Sequence, residues 1–316
     1  MHRRTFLSAA AVAVGTPLLA ADPPTKDDKK MLPVIDTHQH LWDPAKIKLS
    51  WLKKGSPLDG VFGPKEYAAA IEGLNVVKSV YMEVDVVPDD RQAEADYIVG
   101  LCKDAKTTMV AAVLGGDPAD KNFGTYVAQF KDSKYVKGFR RVLHVEATPA
   151  GHMLKDDFVK GVQLLSDLGM IFDLCVRPAE LPDVAKLLDK CPDNRFVLDH
   201  CGNPQAKFTE KQFDQWKADL GEVAKKRNVM VKVSGFIANG WEKGKWKADD
   251  LAPVVNHIVD TFEPKRCMFG GDWPVCTTAA TYAEWLTALR QIISNRPEAD
   301  QKRILHDNAA RLYGIA

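Results

Sequence analysis

Two histidines, His38 and His40, stand on either side of a single glutamine near the start of the chain. They end a run of apolar and β-branched residues that begins at Leu32, and such a run predicts a β-strand. Because side chains in a strand alternate between its two faces, both imidazoles project to the same side. Neutral imidazole is a common ligand of zinc and related ions. The pair therefore predicts two ligands of one shared metal ion.

A third histidine and an aspartate end two later strand-like runs. Asp272 follows Gly270 and Gly271, whose missing side chains let neighbouring groups approach closely. A carboxylate beside a metal ion can take a proton from attacking water and pass it to a leaving group. We therefore predict Asp272 as a metal ligand and general base, and His200 as a third ligand or a support for a developing oxyanion. The alternatives are that His200 caps a loop before Pro204 and that Asp272 is a helix N-cap.

Eight short β-rich runs alternate with segments of helical apolar spacing. This alternation predicts an α/β fold, a (β/α)8 TIM barrel, whose catalytic groups lie at the C-terminal ends of the strands. An open doubly wound sheet would need a glycine-rich phosphate loop after the first strand, where this chain has His38-Gln39-His40. Residues 41–64, with three prolines, three glycines and two tryptophans, predict a long first βα loop. The predicted strands are 32–37, 78–84, 108–114, 136–142, 170–176, 195–199, 229–234 and 267–271, and the clearest helices are 92–105, 158–168, 181–188, 213–226 and 251–261.

The charge and cysteine content exclude some classes of protein. Lys and Arg total 43 against 42 Asp and Glu, and no basic run is interleaved with aromatic residues, so nucleic acid is not an expected partner. None of the six cysteines forms a C-x-x-C pair and several lie in apolar runs, so we expect buried free thiols, with disulfides as the alternative.

The N-terminus has the layout of an export signal. The basic start His2-Arg3-Arg4 precedes an apolar stretch that ends at Ala21. The adjacent arginines resemble a twin-arginine signal, which predicts export of the folded protein to the periplasm. An uncleaved membrane anchor is the alternative, but the stretch is short and contains Gly-Thr-Pro. We therefore predict a signal peptide at 1–21, a linker at 22–31 and one barrel domain at 32–316, with no membrane contact after cleavage.

Several motifs, in this strand order, resemble the amidohydrolase superfamily, in particular its amidohydrolase-2 branch and the sugar-lactonase group within it. The resemblance implies a metal-dependent TIM-barrel hydrolase, and that group includes hydrolases of fuconolactone and rhamnonolactone, with a dicarboxylate pyrone lactonase as a relative. The motifs are His38-Gln39-His40-Leu41-Trp42-Asp43-Pro44, Gly138-Phe139-Arg140-Arg141, Leu198-Asp199-His200-Cys201-Gly202-Asn203-Pro204, Lys232-Val233-Ser234-Gly235 and Gly270-Gly271-Asp272-Trp273-Pro274.

The chain departs from the family pattern in its fifth predicted strand. Many superfamily members hold two metals with a carboxylated lysine on strand four or a histidine on strand five, but residues 171–176 contain neither lysine nor histidine. A single ion is therefore expected, with zinc as the first choice and manganese as the second. Some relatives in this branch hydrolyse lactones without a tightly held metal, so weak binding is compatible with the resemblance.

Further polar side chains are candidates for substrate contact. Glu83 ends the second predicted strand and is either a ligand or substrate contact or part of a structural ion pair. Arg140 ends the fourth, where its guanidinium could clamp a carbonyl oxygen or carboxylate. Lys232 and Ser234 share one face of the seventh, and a role beside the substrate and a buried ion pair are both open.

Tryptophans in or near the loops of the active-site face are candidates for stacking on a sugar ring. Trp42 and Trp273 are the main ones, with Trp51 and Trp241 nearby, and packing residues are the alternative interpretation.

The leading interpretation is hydrolysis of a cyclic ester, in which the metal and Arg140 polarise the carbonyl and Asp272 activates water. A metal-dependent non-oxidative decarboxylase of an aromatic or unsaturated acid is the second enzyme hypothesis, because the same branch contains such enzymes. An exported protein that binds a carbohydrate acid without turnover would not need Asp272 and the histidine pair, yet both are present. The expected partner is a small lactone or carboxylic acid, and the chain is compatible with a homo-oligomer.

Overall fold

Eight parallel β-strands form the centre of the structure, a computed structural model that describes residues 31–316. Each strand pairs with the next in sequence order, and the last meets the first through hydrogen bonds from Asp272 N to His38 O (2.6 Å) and from His40 N to Trp273 O (2.7 Å). The predicted TIM barrel is therefore confirmed, and the predicted strand ends differ from the observed ones by at most two residues. The strands are β1 Val34–Gln39, β2 Val76–Met82, β3 Met109–Gly115, β4 Val136–Val142, β5 Ile171–Cys175, β6 Arg195–Leu198, β7 Val229–Val233 and β8 Cys267–Phe269.

Helices follow the strands and cover the outside of the barrel. Their buried faces carry apolar residues at helical spacing, as in Leu181, Val184, Leu187 and Leu188 of one helix. The five helices expected from the sequence are present, with ends within three residues of the prediction. The α-helices of the described residues are α1 Pro64–Ala70, α2 Arg91–Cys102, α3 Phe123–Ala128, α4 Asp156–Asp167, α5 Leu181–Lys190, α6 Glu210–Ala224, α7 Ala248–Phe262, α8 Tyr282–Ile293, α9 Glu298–Lys302 and α10 Asn308–Tyr313.

The interior of the barrel is apolar at one end and polar at the other. Its lower layer includes Ile35, Val113 and Met268, and Tyr313 of α10 packs against this layer. Above it the inward-facing residues are charged, because Arg140, Asp173 and Lys232 lie on β4, β5 and β7 and are all buried. The polar end is the C-terminal end of the strands, where the functional site is expected.

The first strand contains an irregularity that brings both histidines into the barrel. Ile35 packs in the inner apolar cluster, whereas His38, three residues later, also faces inward against Asp199 and Asp272. A strictly alternating strand would point these two residues to opposite faces. The pairing of β1 with β2 shifts register between Asp36 and Gln39, which restores the inward direction at His38 and His40.

The cysteines lie within the described residues, whereas most of the N-terminal segment does not. All six cysteines are buried and none is in a disulfide, which confirms the expectation of free thiols. The signal peptide at 1–21 and most of the linker at 22–31 lie outside the described residues, so cleavage and periplasmic export stay predictions. Within residues 31–316, no helix combines the length and the apolar character needed to cross a membrane.

Candidate active site

His38, His40 and Asp272 converge at the C-terminal end of the barrel. Nε2 of His40 lies 3.3 Å from Oδ1 of Asp272, and Nε2 of His38 lies 3.7 Å from the same oxygen. Nδ1 of His40 is 2.9 Å from the carbonyl oxygen of Met82, which can only accept, so Nδ1 carries the proton and the lone pair of Nε2 faces the carboxylate. The three residues each offer one ligand atom within 4.8 Å of the others, a spacing and donor set that fit one divalent cation.

A second group of donors, His38, Asp199 and His200, also lies within 4.8 Å. Here the carboxylate is already neutralised, because Nζ of Lys232 lies 3.1 Å from Oδ1 of Asp199 and Nη1 of Arg140 lies 3.3 Å from Oδ2. Two built-in cations thus occupy the oxygens that a second metal ion would need. The first group is therefore the better candidate metal site, in agreement with the single ion expected from the sequence.

Close packing holds Asp272 in place. Its backbone has a positive φ of 53°, which is uncommon for a residue with a side chain, and its N–H donates to the carbonyl of His38. A Cβ atom at Gly270 would lie 2.8 Å from the Cβ atoms of both His38 and Ser234, and one at Gly271 would lie 2.7 Å from Oδ2 of Asp36. Glycine is therefore required at both positions, as the sequence analysis expected.

His200 lies on a left-handed turn that directly follows β6. The φ angles of His200, Cys201, Gly202 and Asn203 are 54°, 57°, 71° and 58°, and three of these residues carry side chains that disfavour this conformation by about 1–2 kcal/mol each. Trp216 stabilises the turn by donating from Nε1 to the carbonyl of Cys201 (3.0 Å). Strain of this kind persists where surrounding structure imposes it, commonly at functional sites.

The left-handed turn also brings Asp199 into the site, a residue that the sequence analysis quoted in a motif but did not propose. Oδ1 of Asp199 is 3.4 Å from Nδ1 of His38, and the ring centroids of His38 and His200 are 4.4 Å apart. Consecutive residues of a regular strand would point to opposite faces, whereas Asp199 and His200 both contact His38. The position of Asp199 directly before a histidine at a strand end was the available signal.

Ser234, predicted as a substrate-binding residue, orients His200. Its hydroxyl lies 3.0 Å from Nδ1 of His200, and the residue is completely buried and does not line the cavity. Burial lowers the pKa of His200 to about 4, so the ring is neutral near pH 7. A neutral ring held at Nδ1 leaves Nε2 for a metal ion or a substrate oxygen.

Glu83, predicted either as a ligand or substrate contact or as part of a structural ion pair, forms an ion pair with Arg140. It accepts from Nε of Arg140 at 2.6 Å through its carboxylate, and from Nη2 at 2.7 Å through its carbonyl. Nη1 of Arg140 lies 3.2 Å from Nε2 of His38 and donates to Asp199. Three N–H bonds of Arg140 are therefore committed to Glu83 and Asp199, and the residue itself lines the cavity. The N–H that faces Nε2 of His38 would be released if that nitrogen bound a metal ion.

Lys232, predicted either as a substrate contact or as part of a buried ion pair, lies beneath the site in a buried ion cluster. Its ammonium is 2.5 Å from Oδ2 of Asp173 and 3.1 Å from Oδ1 of Asp199, and all three residues are fully buried. Burial alone would lower the pKa of Lys232, but the two carboxylates outweigh it and raise the pKa above its ordinary value. Of the two roles left open by the sequence, these contacts favour the buried ion pair.

Replacing Lys232 with methionine is expected to lower the free energy of unfolding by about 3–5 kcal/mol, because two buried carboxylates lose their partner. Equilibrium urea unfolding measures this change. Lys226→Met is the control, since Lys226 pairs with an exposed Asp189 and should change stability by less than about 1 kcal/mol. A loss below about 1 kcal/mol for Lys232→Met would contradict a charged cluster in the folded protein.

A cavity of about 350 Å³ opens above the candidate metal ligands. Trp42 and Trp51 line it, whereas Trp273, also predicted as a substrate contact, packs against Phe62 and Tyr67. Among the described residues, four further polar ones in the cavity wall were not predicted as site residues, although Asn203 belongs to a quoted motif and Asp85 directly follows the second predicted strand. They are Asp85, His144, Asn203 and Asn239.

Comparisons with known proteins agree with this geometry. A family model described as amidohydrolase matches residues 35–315. An L-fucono-1,5-lactonase of Burkholderia multivorans is 30% identical over 89% of this chain and 96% of its own length, and an L-rhamnono-gamma-lactonase of Scheffersomyces stipitis is 23% identical over 89% and 98%. A crystal structure of an amidohydrolase from Burkholderia multivorans with bound zinc superposes with a TM-score of 0.81 at 27% identity, covering 90% of this chain and all of that one.

Proposed function

Because this chain belongs to the amidohydrolase family, we propose that it is a metal-dependent lactonase that opens the ring of a sugar-acid lactone. The observation that carries the proposal is the convergence of His38, His40 and Asp272, with ligand atoms within 4.8 Å, at the floor of the cavity. Their order along the chain and their position at the C-terminal ends of the strands match the place where TIM-barrel enzymes do chemistry.

His38, His40 and Asp272 would hold the ion, with His200 as a fourth candidate ligand. Two imidazoles and a carboxylate suit zinc, and the zinc-containing amidohydrolase structure supports the same choice, with manganese second. When bound, the ion supplies Lewis acidity that polarises the lactone carbonyl.

Asp272 acts as the general base in this proposal. Its carboxylate takes a proton from the water that attacks the carbonyl carbon, the bond from that carbon to the ring oxygen breaks, and Asp272 returns the proton to the ring oxygen. The product is the open hydroxy acid, so water is consumed and no other reactant is needed. His200, neutral at pH 7 and fixed by Ser234, is placed to stabilise the developing oxyanion.

Arg140 has fewer N–H groups available for a substrate than a guanidinium without protein partners would have. Three of its N–H bonds are used by Glu83 and Asp199, so at most two remain for a substrate oxygen when His38 holds the ion. Its positive charge still lies in the cavity wall beside His38, where it favours negative charge on the carbonyl oxygen during attack.

Acid release from lactones tests the proposal. The purified chain, with its metal content measured, is assayed with a pH indicator on L-fucono-1,5-lactone and L-rhamnono-γ-lactone, with and without chelator and with zinc or manganese restored. We expect hydrolysis of at least one lactone, loss of activity after chelation and recovery with the ion. Release of carbon dioxide from hydroxybenzoates, with no acid release from any lactone, would replace the lactonase proposal with the decarboxylase alternative.

A further inference from the structure

The cavity wall offers little positive charge to a substrate. Among the described residues that line it, Arg140 is the one with a permanent positive charge, and Glu83 and Asp199 already neutralise it. His144 is solvent-accessible at the rim, but the surrounding protein and Arg140 lower its pKa, so it is uncharged at neutral pH. A substrate carboxylate above the floor would therefore find no free cationic partner in the wall.

Asp85 instead places a carboxylate in the wall. It follows β2, lines the cavity and has a side chain that is 26% exposed. Its Oδ1 accepts from Arg141 at 3.1 Å, and Arg141 also pairs with Asp117 at 3.4 Å, so one guanidinium serves two carboxylates. Asp85 thus keeps acceptor capacity on the cavity side of the molecule, and its charge also interacts with Arg140 and Arg91.

Asn239 adds a neutral acceptor on another side of the cavity, in the loop after β7. Its Nδ2 group donates to Oδ1 of Asn203 (3.2 Å) and to the carbonyl of Pro204 (3.3 Å). Because a carbonyl can only accept, the NH₂ group must face Pro204, and both of its hydrogens are used. The capacity that remains is the carbonyl oxygen, which can accept a hydrogen bond from a substrate hydroxyl.

The tryptophans complete the wall with apolar surface. Trp51 donates from Nε1 to the carbonyl of Val84 (2.7 Å), and Trp42 donates to the carbonyl of Leu58 (3.2 Å). Their only polar atoms are thus committed, and the two rings offer C–H and π surface to the cavity. This suits the apolar face of a saturated ring.

We propose that Asp85 and Asn239 are specificity-determining residues that accept hydrogen bonds from substrate hydroxyls, and that the wall selects neutral polyhydroxylated rings over rings bearing a carboxylate. This inference rests on the proposed lactonase site and adds its charge selectivity. An anionic substituent beside Asp85 would suffer like-charge repulsion and lose hydration without a compensating partner. A ring hydroxyl satisfies the same acceptors without that cost.

Kinetics with one neutral lactone and one lactone that carries a carboxylate test the proposal. We expect the wild-type protein to open L-fucono-1,5-lactone with a kcat/KM at least about 100-fold above that for D-glucaro-1,4-lactone, which carries a carboxylate. Asp85→Asn should narrow this ratio at least tenfold, and Asn239→Leu should raise KM for the neutral lactone about tenfold with kcat changed less than threefold. Asp89→Asn, an exposed residue in the same loop as Asp85, is the control and should leave both values unchanged.

Binding of non-hydrolysable rings separates this inference from the proposed function. L-Fucose and D-galacturonate are titrated into the wild-type and Asp85→Asn proteins by calorimetry, which requires no turnover. Preferential binding of the neutral sugar, reduced in the variant, would support the inference even if no lactone is opened. Equal kcat/KM values for the two lactones, or tighter binding of the uronate, would overturn it while leaving the lactonase proposal intact.

Discussion

Replacement of Asp272 with asparagine is expected to lower kcat/KM for lactone hydrolysis by about 10²–10⁴-fold, the range in which a general acid–base group contributes. Asparagine has nearly the same shape, but its amide cannot take a proton from water or return one to the ring oxygen. The carboxylate is 4% exposed and lies 3.3 Å from Nε2 of His40, so no solvent base has comparable access to this position. Initial rates on a lactone that the wild-type protein opens measure the effect.

Metal content must be measured alongside the rate, because Asp272 is also a candidate ligand. If Asp272→Asn binds less metal, assays at saturating metal separate loss of the ion from loss of the base. Asp89→Asn is again a suitable control, since it removes an exposed carboxylate. A variant with a full complement of metal that retains activity within tenfold of wild type would remove Asp272 from the role of base.

Gly235→Ala is expected to reduce activity by more than about 100-fold without altering any polar side chain of the site, since misplaced catalytic groups cost about this much. A Cβ atom at Gly235 would lie 2.6 Å from Cε1 of His200 and closer still to Nδ1 and Cγ, so the imidazole must leave its place beside Ser234. The glycine also has φ 63° and ψ −33°, a conformation that alanine adopts with strain. Overpacking and backbone strain together should lower the free energy of unfolding by about 2–4 kcal/mol.

Gly240→Ala provides the matched control for this prediction. Gly240 lies in the same loop and has a φ of 91°, but the nearest atom to an added Cβ is that of Ala206 at 3.7 Å. We expect it to cost about 1–2 kcal/mol from backbone strain and to leave kcat/KM within threefold of wild type. Lactone kinetics together with urea unfolding of both variants distinguish the two effects. Activity of Gly235→Ala similar to that of Gly240→Ala would show that the position of His200 is not critical.

The fold was predictable because local patterns determine it. Each predicted strand matched an observed one to within two residues, since buried parallel strands are apolar on both faces and read as continuous hydrophobic runs. His38, His40 and Asp272 were predictable for a related reason. They end β-rich runs of the chain, and the strands of a parallel barrel end at the same face.

The roles of other site residues were less predictable, because they depend on partners distant in the chain. Arg140 looked like a free clamp, but Glu83 and Asp199, 57 and 59 residues away, take most of its donors. Lys232 looked like a substrate contact, but Asp173 and Asp199 bury it beneath the cavity. Trp273 directly follows Asp272 in the chain. Its ring nevertheless packs against Phe62 and Tyr67 and does not line the cavity.

The sequence by itself determined the barrel, the strand ends and the candidate ligand residues, because these follow from the periodicity of hydrophobic side chains and the spacing of polar ones. Only the tertiary structure decided that Asp199 and His200, adjacent in the chain, both face His38. That arrangement requires a left-handed turn that disfavours side chains, and contacts from separate elements, such as Trp216 of α6, keep it in place. Local propensity opposes this conformation at His200 and Cys201, so the residues of the turn alone do not predict that the side chains of Asp199 and His200 both face His38.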